Sequence, residues 1–439
     1  MKEGYSETEP TSVPKAKQAG EIWSRWGWVE RCVWTERMLT ALEKGVKGGK
    51  WFSLIDKVSA LDNLQRAFAK VKANDGAAGA DHQTIEMFEK DLTQNLAVLS
   101  QPLKEGSYRP WPVRREWIDK PGSKEKRPLG IPTVRDRVVQ TALRNVWEPI
   151  FERDFAEHSY GFRPKRGCKD ALRRVQTLLK EGYNIVVDAD IKSYFDTIPR
   201  TPLMERVEEK ISDGRVLELI QSYLNQGVME GLKYWTPEEG TPQGAVISPL
   251  LANIYLDPLD KRMASKGFEM VRYADDFIVL CKTEQDAQQA LAEVKMWMQE
   301  NGLQLHPTKT RIVNAAERGG FDFLGYHFER GKKWPRNKSL KKIKDKVRKL
   351  TKRTNGHSLS VIISKLNPVL RGWFAYYKHS SKSTFRGLDG WTRMRLRSIL
   401  RKRRRRRGRA RNRRDHQRWP NAFFAKQGLF SLLQAHATA

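Results

Sequence analysis

The sequence predicts an α+β protein in which a mixed region of strands and helices is followed by a purely helical C-terminal part. Three observations predict it. The run Tyr183 to Ile191 alternates as a strand does, with Ile185, Val187 and Ala189 on one face and Val186, Asp188 and Asp190 on the other. Two short apolar runs, Phe268 to Tyr273 and Phe277 to Cys281, flank a pair of aspartates as the arms of a β-hairpin would. Beyond Leu359 the residues Leu359, Ile362, Ile363, Leu366, Leu370, Trp373, Phe374 and Tyr377 recur every three or four positions, the period of an amphipathic helix.

The remaining elements follow in chain order. Residues 1 to about 20 are polar and read as loose. Leu39, Leu42, Leu54, Ile55, Val58, Leu61, Leu64 and Phe68 place helices between residues 30 and 70, and Asn74 to Gly79 is a turn. Arg127 to Pro132 reads as a strand bounded by turn residues, Arg135 to Phe151 as a helix, and Tyr160 to Pro164 as a loop before a helix from Cys168 to Leu179. Helix signals run from around Leu203 to Leu224, a Gly/Pro-rich loop is expected from Pro237 to Gly244, and helices from Ser248 and from Glu284 to Asn301. In the C-terminal part, Asn367-Pro368 marks an expected break or new start, because proline lacks the helical N–H. Trp373 and Tyr377 are expected in a core. No repeat of fixed period occurs.

Composition limits the partners. The chain has 439 residues and a formal net charge of +31, with 39% hydrophobic residues, enough for substantial cores. That charge is unfavourable unless a polyanion offsets it, and nucleic acid is the first candidate. No apolar run is long enough for a membrane span and no signal-peptide segment follows Met1, so no membrane and a cytoplasmic setting are expected. Cys32, Cys168 and Cys281 are far apart, which argues against a disulfide framework or a thiolate zinc module.

Within this basic chain the acidic residues carry the chemistry. Asp190 ends an apolar strand, and Asp275 and Asp276 sit at the junction of the hairpin. If the hairpin lies beside the strand, three carboxylates converge and each raises the cost of ionising the others. Magnesium removes that cost, because it is a hard cation that takes carboxylate and phosphate oxygens. Two such ions can activate a hydroxyl and stabilise a departing pyrophosphate.

Tyr273-Ala274-Asp275-Asp276 resembles the catalytic signature of reverse transcriptases, and Asp190-Ile191-Lys192-Ser193-Tyr194-Phe195-Asp196 resembles their first metal-binding motif. Arg127 to Pro132, Tyr160 to Pro164, Gly240 to Gly244 with Ser248 to Asn253, Leu303 to Thr310 and Phe323 to Tyr326 match further motifs in order. This form of the motifs, with Asn74 to Asp81 resembling an additional N-terminal motif, is similar to group II intron-encoded reverse transcriptases, or maturases. The resemblance covers roughly residues 60 to 400. It implies a right-hand polymerase with fingers and palm, followed by a helical thumb or maturase domain. The expected divisions are an N-terminal extension at 1–59, fingers and palm at 60–335, the thumb or maturase domain at 336–400, and an arginine-rich extension at 401–439.

By the same resemblance Asp190, Asp275 and Asp276 are catalytic ligands of two Mg2+ ions, with Asp188 the competitor for Asp190 on its strand face. Asp196 is structural or near the nucleotide. Lys120 and Arg127 are assigned to the triphosphate, with Lys124 or Lys126 as replacements for Lys120. Gln243 is assigned to the incoming nucleotide or template, and Lys309 to the leaving phosphates. Phe195 is placed below the sugar, where its bulk would exclude a ribose 2′-hydroxyl. Arg401, Lys402, Arg403, Arg404, Arg405, Arg406, Arg407, Arg409, Arg411, Arg413 and Arg414 form a block that cannot bury itself and is expected to order on an RNA phosphate backbone. Trp419 and Phe423 beyond it suggest base stacking. The implied partners are group II intron RNA, an RNA template with a DNA primer, target DNA and deoxynucleoside triphosphates. The absence of cysteine after Cys281 argues against the DNA-cutting domain many relatives carry. The alternative is a related reverse transcriptase in DNA repair or phage defence, without an intron.

Overall fold

The computed structural model describes residues 22–46, 48–119, 126–237, 239–241, 244–406, 408 and 412–438. The expectations placed on residues 1–20, Lys120, Lys124, Gln243, Arg407, Arg409 and Arg411 lie outside the described residues.

Three sheets organise the described residues. Strands β1 (Val113–Asp119), β2 (Lys126–Ile131), β4 (Val228–Glu230) and β5 (Lys233–Trp235) form one sheet in the order β2-β1-β4-β5. The second, ordered β6-β7-β3-β8, is built from β3 (Ile185–Asp190), β6 (Glu269–Tyr273), β7 (Asp276–Cys281) and β8 (Arg311–Asn314), all pairs antiparallel. A third small sheet contains β9 (Phe321–Phe323), β10 (Tyr326–Glu329) and β11 (Lys332–Pro335). The β3 alternation emerges as expected. Val187 and Ala189 enter the main core with helices Val134–Glu152 and Ser248–Ser265, while Val186 enters a second core beneath helix Cys168–Lys180. A third core joins the helices Asn337–Leu350, Leu359–Tyr377 and Lys382–Arg403. The architecture is therefore mixed α+β with helices following the sheets. No helix among the described residues is long and apolar enough to cross a membrane.

The helix signals expected from around Leu203 to Leu224 resolve into two helices, Arg200–Glu208 and Gly214–Leu224. Asp213 caps the second by accepting from the Val216 N–H, and its other oxygen accepts the Leu54 and Ile55 N–H groups at 2.5 and 2.8 Å. Conversely, Leu359–Tyr377 runs unbroken through Pro368. Leu366 and Leu370 are buried on either side, and Asn367 donates to the Gly428 carbonyl and accepts from the Phe430 N–H, so tertiary contacts outweigh the missing backbone bond.

Packing also crosses the divisions expected at residues 59 and 400. Trp26, Trp34 and Leu39 belong to the main core, and the Trp34 indole donates to the Asn145 carbonyl at 3.0 Å. Trp419, Phe424 and Leu432 are buried with Ile343, Leu366 and Leu396, and the buried Arg397 donates to the Trp419 carbonyl at 2.8 Å. Trp419 is thus a core residue, not one presented for base stacking. Phe424→Ala should cost about 3–5 kcal/mol of unfolding free energy, as aromatic-to-alanine core changes do. Denaturant unfolding of the full chain followed by tryptophan fluorescence checks this, and a loss below about 1 kcal/mol would place Phe424 outside the core.

Candidate active site

The site is built where the central strands of the second sheet end. The β-branched Ile185, Val186 and Val187 of β3 pair with Cys281, Leu280 and Val279 of β7, and this register sets Asp190 directly opposite Asp276. Tyr273 of β6 pairs with the other side of Asp276, so Ala274 and Asp275 form the hairpin turn, with Ala274 at φ 59°. The two strands therefore bring Asp190, Asp275 and Asp276 to one end of the sheet, and Asp188 lies one pleat behind.

Burial and mutual repulsion raise the Asp188, Asp275 and Asp276 carboxyls, even where a cation stands nearby. Burial, then Asp275, Asp188 and Asp190, push the Asp276 carboxyl up to about 7. Asp275 is raised by burial and by Asp190, against an opposing pull from Arg127 of β2. Asp188 is raised chiefly by burial, although Arg311 of β8 donates to its Oδ2 twice at 3.2 Å. Asp190 is held differently. The segment after Leu303 runs along the end of β3, with an antiparallel bridge of Ile191 to Leu305 and the His306 N–H donating to the Asp190 carbonyl at 2.7 Å. That path delivers Lys309, whose ammonium donates to Asp190 Oδ2 at 2.5 Å.

The other expected residues fall around this end of the sheet or elsewhere as follows. Phe195 lies half-buried in the short helix Tyr194–Thr197, its ring edge-on to Tyr194, whose hydroxyl donates to the Ala252 carbonyl. The Thr241 N–H donates to the Phe195 carbonyl at 2.7 Å. A Cβ on Gly240 would strike the backbone of Phe195 and Asp196, and one on Gly244 would strike the Gly130 carbonyl of β2. Gly240 and Thr241 therefore lie against Phe195, and Gly244 against the strand that carries Arg127. The arginine block lies elsewhere: Arg401 and Arg403 close the helix Lys382–Arg403, Arg401 ion-pairs with Asp415 at 2.5 Å, and Arg403 donates to the His357 carbonyl. Lys402, Arg404, Arg405, Arg406, Arg413 and Arg414 are exposed.

Sequence reasoning passed over Arg272. This fully buried arginine donates from Nε to both oxygens of Asp260 at 2.8 and 2.9 Å, and from Nη1 to Asn253 Oδ1 at 2.9 Å and to the Ala274 carbonyl at 3.0 Å. Its signal was an arginine inside an otherwise apolar strand, next to Tyr273. The loop expected at Tyr160 to Pro164 joins the same edge. Tyr160 N–H donates to the Arg272 carbonyl at 2.9 Å, and Gly161 lies so close to Ala274 that a Cβ would collide with its backbone nitrogen. Arg163 anchors that loop by forking Glu152 with two 2.9 Å bonds.

The donor set is hard and anionic. Among the described residues no three His, Cys, Asp or Glu side chains stand close enough to hold a metal ion by themselves. The chemistry of the donor set fits a divalent ion: carboxylates from two strands, raised by burial and by each other's charge, would gain most from a hard cation.

A model of the reverse transcriptase (RNA-dependent DNA polymerase) family matches residues 118–328, and one of the group II intron maturase-specific domain matches residues 340–419. The chain is 41% identical over 197 residues to the group II intron-encoded protein LtrA of Lactococcus lactis, a match covering 44% of this chain and 32% of that protein. It is 33% identical over 291 residues to protein YkfC of Escherichia coli, covering 57% of this chain and 76% of that one. Among solved structures, a partial Cas6-RT-Cas1–Cas2 complex aligns at 27% identity and a TM-score of 0.37, covering 56% of this chain and 42% of that one. The two family matches define a protein that joins a reverse transcriptase region to a maturase-specific region. The chain belongs to the group II intron-encoded reverse transcriptase/maturase family.

The Asp276 shift has a testable consequence for stability. Its carboxyl is raised from 3.8 to about 7, so the fold binds this proton more tightly than the unfolded chain does. The associated stability is present at low pH and is lost as pH rises through about 7. Asp276→Asn should therefore raise Tm by a few degrees at pH 8 in EDTA and change it little at pH 4, while magnesium should stabilise the wild type more than the variant. Differential scanning fluorimetry at both pH values reads this, and an equal Tm at pH 8 would mean the carboxylate is solvated.

Proposed function

We propose that this chain is an RNA-directed DNA polymerase that extends a DNA primer with deoxynucleoside triphosphates. In this reading Asp190, Asp275 and Asp276 hold two magnesium ions, and the helical C-terminal region binds the RNA of a host group II intron and assists its splicing and mobility. The observation that carries the reading is the register that sets Asp190 opposite Asp276, with Asp275 beside them and Arg127 close enough to offset its charge. The first sheet and the helices packed on it correspond to fingers, the second sheet to the palm, and the helices from Asn337 to the thumb.

When bound, magnesium would supply Lewis acidity to the primer 3′-hydroxyl and to the departing pyrophosphate. The protein's own groups do the rest. The three aspartates bind and orient. Arg127 offers a planar fork to triphosphate oxygens, with Lys120 as its expected companion. Lys309, which ion-pairs with and donates to Asp190, would release it and turn its ammonium toward the leaving phosphates. Phe195 blocks the space a 2′-hydroxyl needs, held by the Gly240 loop on which Gln243 meets the nucleotide or template. The match to the maturase-specific region favours the intron setting over repair or defence.

Asp275→Asn should abolish primer extension on an RNA template while leaving RNA affinity within about twofold, since phosphate contacts dominate that affinity and lie elsewhere. Extension and filter binding in the same magnesium buffer test this, and near-normal extension would remove the central assignment. Serine at Lys402, Arg404, Arg405, Arg413 and Arg414 spares the structural Arg401 and Arg403. It should weaken intron-RNA binding and flatten the slope of log affinity against log salt by roughly 0.7–0.9 for each phosphate no longer neutralised. Extension on a short pre-annealed template should change much less. An unchanged slope would show that the block does not meet RNA phosphates.

A further inference from the structure

We propose that Arg272, braced by Asp260 and Asn253, is a positioning residue that sets the Ala274–Asp275 turn, and with it the ligand geometry of Asp275 and Asp276. The proposal rests on the polymerase reading of the site. Its observations are independent of that reading. A buried arginine is expensive unless its charge and its donors are met. Arg272 meets them with Asp260 on helix Ser248–Ser265, and spends a remaining donor on the Ala274 carbonyl, one residue before Asp275. Asn253 sits about two turns before Asp260 on the same helix. It accepts from Arg272 and donates to the Gly161 carbonyl at 2.8 Å. Gly161 in turn abuts the Ala274 nitrogen, so the turn is gripped at its carbonyl by a side chain and at its nitrogen by a backbone.

An ion pair needed only to hold strand to helix would be satisfied by Arg272 and Asp260. The contacts to the Ala274 carbonyl and, through Asn253, to Gly161 exceed that need and converge on the turn that carries Asp275 and leads into Asp276. Ala274 adopts φ 59°, a conformation that L-residues take at a cost and keep only where surroundings determine it. The Arg272 fork supplies that determination. A lysine there keeps the charge beside Asp260 but reaches neither Asn253 nor Ala274 in the same geometry.

The test compares wild type, Arg272→Lys, Asn253→Ser and the control Asp275→Asn, each as the full chain with annealed primer and template. Mn2+ is titrated and bound ion counted by electron paramagnetic resonance, beside thermal melts and steady-state extension. Arg272→Lys and Asn253→Ser should weaken Mn2+ binding by about 10- to 100-fold, as removal of groups that orient metal ligands does. They should lower kcat with little change in the deoxynucleotide KM. If Arg272→Lys fails to fold, Asn253→Ser, which leaves the Arg272–Asp260 pair intact, decides the question. Folded variants with wild-type Mn2+ affinity and wild-type kcat would overturn the positioning role. If Asp275→Asn itself leaves Mn2+ binding unchanged, the metal reading of the site fails instead, and the two failures are thereby separate.

Discussion

The structure depends on tolerating two like charges placed face to face. Asp190 and Asp276 are directly paired residues of adjacent strands, an arrangement that destabilises a sheet when both are ionised. The sheet accepts it because the strands behind are dense with apolar contact: Val186, Val187, Ala189, Phe277, Ile278 and Val279 are all buried, on both faces. Nearby cations then divide the charge. Lys309 takes Asp190, Arg311 takes Asp188, and Arg127 and Arg336 lean on Asp275 and Asp276 from distant parts of the chain. The burden that remains falls on Asp276, whose proton is held to about 7.

Around that centre the backbone is brought close by removing side chains. Gly161 lets one loop touch the Ala274 turn, Gly240 lets another close over Phe195 and Asp196, and Gly244 brings the same loop on to Gly130 of β2. Each contact is backbone to backbone, so none tolerates even a methyl group without displacement. The glycine motifs and the acidic motifs are thus parts of one construction. The acids supply charge, and the glycines let three separate chain segments stand within reach of it.

What was legible in the sequence follows the range of the interactions involved. β3 and the hairpin were readable because a period of two with β-branched residues is a local property, and so was the helix beginning at Leu359. The three site aspartates were readable because an acid ending an apolar strand, and two more in a turn, stand out from their neighbours. The break at Asp213 was not, because its cause is a carboxylate that caps its own helix while holding the N–H groups of Leu54 and Ile55, far away in sequence. Nor was the continuity through Pro368, which rests on contacts with Gly428 and Phe430. Arg272 escaped for the same reason: in a strand it looks like one more basic residue, and only the helix that places Asp260 and Asn253 reveals its use.

Arg272 also changes how the charge of the whole chain should be read. A net charge of +31 invites the view that every arginine is a phosphate ligand. Several are committed within the fold instead. Arg163 is held by Glu152, Arg272 by Asp260, Arg397 by the Trp419 carbonyl and Arg401 by Asp415. These side chains build the fold, and their charge is cancelled or enclosed where it stands. The exposed remainder, such as Lys402, Arg404, Arg405, Arg413 and Arg414, projects from elements that Arg397 and Arg401 fasten to the helical core, and on the proposed function it is this remainder that would meet a polyanion. On that reading the committed arginines would serve nucleic-acid binding only indirectly, by fastening the elements that carry the exposed ones. A charge count alone therefore overstates the number of phosphate contacts, while the salt dependence of binding registers only the residues that displace counterions.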